Sequence, residues 1–72
     1  MTFQIHGEYI ELCKLLKAAN LVMSGGEGKE VVAQGLVSVE GQTETRKCCK
    51  IRPGQTVEFA EHTILVERES AE

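Results

Sequence analysis

Aromatic residues are scarce: Phe3, Tyr9 and Phe59 are the full set, and there is no tryptophan. Any core this chain builds must therefore be aliphatic. Long apolar runs are missing as well. No stretch approaches the roughly 20 residues that cross a bilayer, and the opening "TFQIH" does not resemble a secretory signal. A reducing cytosol is the expected compartment, with no membrane as partner. Cysteine is sparse, and its count of three is odd and irregularly spaced. Cys13, Cys48 and Cys49 are accordingly expected as free thiols, not as a disulfide scaffold.

What is present suits one small folded unit. The chain has 72 residues, 42% of them hydrophobic and 26% charged, a globular balance. At this length a single core is near the lower limit of self-sufficiency. Little room remains for a deep, closed pocket, which weighs against an enzyme. One domain is expected over residues 1–67, followed by a frayed polar tail over 68–72.

Periodicity divides the chain into elements. "TFQI" alternates Phe3 and Ile5 inward, as a short edge strand does. "EYIELCKLLKAAN" predicts a helix with Tyr9, Leu12, Cys13, Leu16 and Ala19 on one stripe and Leu15 beside it. Glu11, Lys14 and Lys17 fall away from that stripe. Glu8 and Lys17 suit the helix dipole, and Asn20 suits a left-handed terminus. Ser24 reads as the cap of a second helix, with Glu27 completing a capping box and Gly35 stopping it. Strands follow: "LVSV", a turn at Glu40–Gly41, "QTETR", a turn at "RPG", then "TVEF", a reversal at "AEH", and "TILV". Two helices on a small, mainly antiparallel sheet, an α+β fold, is the expected architecture.

Charge is distributed unevenly. Residues 45–56 hold Arg46, Lys47, Lys50 and Arg52 and no acid, a window of +4 in a chain whose remainder carries −7. Surface fields decay over about 8 Å at physiological salt, so a partner docking here meets the patch more than the net charge. A solvated strand-turn, a cysteine site and a surface for an anionic partner all compete to explain it. In "SGGEGK", a helix start with Gly25 and Gly26 offers open amides to phosphate oxygens, and Lys29 adds charge one turn on. It lacks the spacing of a phosphate-binding nucleotide loop.

The cysteine alternative is weaker. Adjacent Cys48 and Cys49 point to opposite faces of an extended segment and cannot easily share an ion. Cys13 with His6 or His62 is only a scattered set. Lys47 and Lys50 could lower a thiol pKa. No catalytic residues, metal site or cofactor are expected. His62 reads as a surface residue in a turn.

Taken in order, Leu12, Leu15 and Leu16; Ser24; Gly35, Val37, Val39 and Gly41; Arg46, Lys47 and Lys50; and Gly54 and Val57 resemble the S4 RNA-binding domain. The resemblance spans about Glu8 to Phe59 and is strongest to small stand-alone bacterial S4-like proteins. It implies an S4-like, alpha-L arrangement that binds structured RNA, commonly ribosomal or transfer RNA, without catalysis. The partner could be an RNA–protein assembly such as the ribosome. By residue match the RNA-facing positions are Ser24, Gly25, Gly26, Lys29, Arg46, Lys47, Lys50 and Arg52. Lys14 and Arg68 are expected outside that face. A protein-interaction module that docks an acidic surface is the alternative, since either partner is anionic.

Overall fold

Each helix of this protein ends in the same device, a left-handed residue that turns the chain back. In the computed structural model, which describes residues 1–69, α1 runs Leu12–Ala18 and α2 runs Gly25–Ala33. After α1, Asn20 takes φ 65°, with its amide donating to Lys17 O and the Leu21 amide to Leu16 O. After α2, Gly35 takes φ 78°, and the Gly35 and Leu36 amides reach Val32 O and Val31 O. Both are Schellman closures, which satisfy carbonyls the helix leaves unpaired.

Around the helices lie β1 Thr2–Ile5, β2 Ile10–Glu11, β3 Val37–Val39, β4 Gln42–Thr43, β5 Lys50–Ile51, β6 Thr56–Phe59 and β7 His62–Arg68. Five strands form one sheet in the order β1-β7-β6-β3-β4, and β2 with β5 forms a separate two-stranded ladder. Among the described residues only the β1–β7 pairing is parallel. The mainly antiparallel sheet with two helices matches the expected architecture.

The register puts one face of the sheet inward: Val57 pairs with Ile64 and Phe3 with Val66. That face meets Leu12, Leu15 and Leu16 of α1, Val32 of α2 and Val22 between them in one aliphatic cluster. Each such side chain contributes about 1.5–3 kcal/mol by leaving water. No polar side chain is buried among the described residues, and no aromatic is fully buried. No helix among those residues is long and apolar enough to cross a membrane.

Three expectations need correction. The first helix starts at Leu12, not near Glu8, because Ile10 and Glu11 are extended and pair with Ile51 and Lys50. Glu11 makes no side-chain cap, so ladder hydrogen bonds win over another helical turn; Tyr9 lies outside the helix and is exposed. The strand expected over "QTETR" pairs only through Thr43, with Glu44 N still donating to Val37 O at 2.9 Å. At the far end, β7 continues through Arg68, and Glu69 N donates to Ile5 O, so this part of the expected tail is held in the sheet. The rest of that tail, residues 70–72, lies outside the described residues.

The backbone of α2 comes close to α1 at Gly28, one turn into the helix. A Cβ at Gly25 would meet nothing within 4 Å and at Gly26 only Ser24 Oγ at 3.8 Å, whereas at Gly28 it would lie 2.8 Å from the Cys13 carbonyl oxygen. Gly28 is thus where α2 rests on the backbone of α1. Alanine favours a helix by about 1 kcal/mol, but overpacking against backbone costs about 1–3 kcal/mol. Gly28→Ala should therefore lower the denaturation midpoint, while Gly26→Ala should leave it unchanged or raise it. Urea unfolding of both variants checks this.

Candidate functional site

The contact at Gly28 aims the first turn of α2 across α1. Ser24 caps that turn: its Oγ accepts from Glu27 N at 3.1 Å, and Glu27 Oε1 accepts from Met23 N at 2.7 Å. Half of the expected capping box forms: Ser24 Oγ takes the Glu27 amide, but the Glu27 carboxylate takes the amide of Met23 and not that of Ser24. Gly25 and Gly26 fill the first two helical positions, whose amides have no acceptor within a helix. They open onto a groove of about 700 Å³ that Lys29 shares.

The opposite wall is α1, which brings Lys14 and Lys17 into the same groove. Lys14 was expected outside the face; this is a correction. Its spacing from Lys17 puts both on the exposed side of α1, and that side faces the start of α2. The signal was legible as helix spacing, but the neighbour it faces was not. Lys14 Nζ also pairs with Glu11 at 3.1 Å, which raises its pKa.

The third wall is the loop between β4 and β5. Leu12 N donates to Cys49 O at 2.8 Å, and with the β2–β5 ladder this ties the loop to the start of α1. Cys48 therefore lines the main groove and also a smaller one, shared with Arg46, Cys49 and Lys50. The two grooves meet along Cys48. Of the remaining candidates, Ser24, Lys47 and Arg52 are exposed but line neither groove. Arg52 instead holds the following turn, its amide donating to Gln55 Oε1. Arg68, on β7, lines neither groove either.

Sequence reasoning stopped one residue short of the group that controls the loop. Glu44, just outside the basic window, accepts from Arg46 Nε at 2.9 Å, Arg46 Nη2 at 3.1 Å and Arg46 N at 2.9 Å. These bonds, the side-chain pair foremost, hold its carboxyl down at about 2. Arg46 is a braced cation whose charge is largely matched on the spot. Among the described residues no acid pairs with Lys50, whose Nζ lies 4.9 Å from the centre of the Tyr9 ring.

Neither Cys13 nor Cys49 is activated. Burial, then the nearby Cys48, pushes Cys13 up; burial, then the Glu44 charge, pushes Cys49 up. The lowering expected from neighbouring lysines does not govern these two. The extended segment expected at Cys48 and Cys49 is not formed: Cys48 lies in a turn closed by Cys49 N donating to Arg46 O at 3.2 Å, and both residues line the smaller groove. Cys13, however, meets Cys48, a pairing no local spacing announces.

Comparison with known proteins gives concordant results. An S4 domain family model matches residues 3–67. YbcJ of Escherichia coli (strain K12), provisionally named an RNA-binding protein, is 50% identical over 58 residues, covering 81% of this chain and 83% of the relative. An uncharacterised YbcJ of Shigella flexneri matches to the same extent, 50% over 58 residues. The solution structure of E. coli YbcJ, described as revealing an alpha-L motif involved in RNA binding, superposes with a TM-score of 0.71 at 46% identity. It covers 92% of this chain and 85% of that one. With its helix pair, mixed sheet and ordered motif residues, the chain belongs to the S4 domain family.

Proposed function

We propose that this protein binds structured RNA, ribosomal or transfer RNA being the class expected, and that it acts by binding without catalysis. One observation carries the reading: Gly25 and Gly26, the first two residues of α2, line a groove together with Lys14, Lys17 and Lys29. Oriented amides and the positive end of the helix dipole suit phosphate oxygens, and lysines on both walls add charge where a backbone would pass. Arg46 and Lys50 extend the track past Cys48. E. coli YbcJ, named and structurally described for RNA binding, supports the same reading.

Recognition would be by shape and phosphate spacing. Tyr9 is half-exposed and already covered on one side by Lys50, and Phe3 and Phe59 pack against the core. Base stacking therefore has little to work with, and the groove suits the backbone of a folded RNA better than splayed single strands. Ser24 acts through its cap, by fixing the turn that presents the amides. Lys47 and Arg52 contribute field at the periphery. A ribosomal or other RNA–protein assembly is a fitting setting, and the cytosol a fitting compartment.

Titrating a hairpin RNA at several salt concentrations should give a log–log slope of roughly −2 to −4, the release expected for three to five phosphate contacts. Lys14→Ala, Lys29→Ala and Lys50→Ala should each weaken binding and flatten the slope by about one unit, while Arg68→Ala should not. Equal small losses from all four would sink the single-track idea, and a salt-independent affinity would favour docking to a protein instead.

Glu44 offers a test in the opposite direction. Glu44→Gln removes the carboxylate that offsets Arg46 and adds one net positive charge to the loop. RNA binding should tighten at low salt and steepen in its salt dependence. Weaker binding would mean that the brace on Arg46 matters more than the charge it cancels.

A further inference from the structure

The groove floor holds a second kind of chemistry. Glu11, Cys13 and Cys48 come from two distant parts of the chain, yet a carboxylate oxygen and the two sulfurs all lie within 4.8 Å of one another. We propose that these three side chains form a binding site for a thiophilic divalent metal ion, with zinc as its best match.

The arrangement is built by backbone and not by chance side-chain reach. Glu11 pairs with Lys50 in the β2–β5 ladder, and Leu12 N is bonded to Cys49 O, so the segment entering α1 runs alongside the segment carrying Cys48. From the other side, Gly28 holds the Cys13 backbone in place. Cys13 is buried, Glu11 is half-buried and Cys48 is exposed, an order that gives a fixed floor and an accessible entrance.

Donor chemistry selects the ion. Two sulfurs exclude a preference for magnesium or calcium, and two sulfurs with one oxygen suit zinc. Bonds of about 2.0–2.3 Å in a tetrahedron put ligand atoms about 3.3–3.8 Å apart, so only a small closure is needed. Glu11 gives Oε1 to Lys14 and retains a second oxygen. Two thiolates, a carboxylate and a dication leave a net charge of about −1, which Lys14, Lys17 and Lys29 in the same groove offset. The fourth position opens into the groove, where water or an anion completes the shell. A disulfide would use the sulfurs alone and give Glu11 no part.

The test titrates reduced, metal-free protein with zinc against a chromophoric chelator, and with cobalt for the thiolate-to-metal absorption band. One ion per chain should bind with a dissociation constant of about 1 μM or tighter. Cys48→Ser, on an exposed residue whose loss should not disturb folding, should weaken binding at least ~100-fold and abolish the band, and Glu11→Gln should weaken it ~10-fold. Cys13→Ser should match Cys48→Ser, and Cys49→Ser should bind as the parent does. The proposal is overturned by no saturable zinc binding, by equal loss in Cys49→Ser, by unchanged binding in Cys48→Ser or Glu11→Gln, or by a Cys13–Cys48 disulfide as the only product. None of these readouts involves RNA, so failure here leaves the RNA-binding reading standing, and the reverse holds too.

Discussion

The seat of α2 on α1 at Gly28 is the constraint from which the rest of this small structure follows. A backbone-to-backbone approach of that kind is possible only where no Cβ intervenes, and it fixes the angle and depth of one helix on the other. Because α2 has only nine residues, fixing it at its fourth position fixes its first turn. That turn then opens its amides across α1, where Lys14 and Lys17 already project. The same contact immobilises Cys13 at the groove floor. Core packing and site geometry are thus set by one residue that carries no functional group.

The two-residue ladder of β2 with β5 does comparable work on the other side. It contributes little area, but it halts the helix at Leu12 and anchors a loop that has few other regular hydrogen bonds. Within the loop, the Glu44–Arg46 clamp supplies the remaining order. The patch that looks uniformly cationic along the chain is in space a braced arginine, a lysine over a ring, and two peripheral charges. Counting charges in a window overstated its field by omitting the carboxylate at its border.

Much of the fold could be read from the residues because its signals are local. Asn20, Ser24, Gly35, Gly41 and Gly54 each serve as punctuation whose meaning depends on near neighbours, and each acts as expected. Alternation in the first strand marks its inner face correctly, with Ile5 buried and Phe3 packed against the core. What escaped was set by distant partners. Ile10 and Glu11 look helical until Lys50 and Ile51 offer a ladder; Lys14 looks peripheral until α2 lies beside it; Cys13 looks like a core residue until the loop brings Cys48. The assignment of Gly25, Gly26, Lys29, Arg46 and Lys50 to two joined grooves required the fold, although their chemistry was legible beforehand.

The parallel pairing of β1 with β7 has an implication for how the molecule is made. Thr2–Ile5 lies against Leu65–Arg68, so β1 must wait for a strand far downstream of it. Since β1 occupies the sheet edge, the helix pair and the β3–β6–β7 part of the sheet can assemble without it. Closing a loop of about 60 residues is the slow kind of step in folding, and its entropy is offset only when Ile5 reaches the core. During synthesis Thr2–Ile5 therefore stays an unpaired ribbon until Leu65–Arg68 has been made and can reach it.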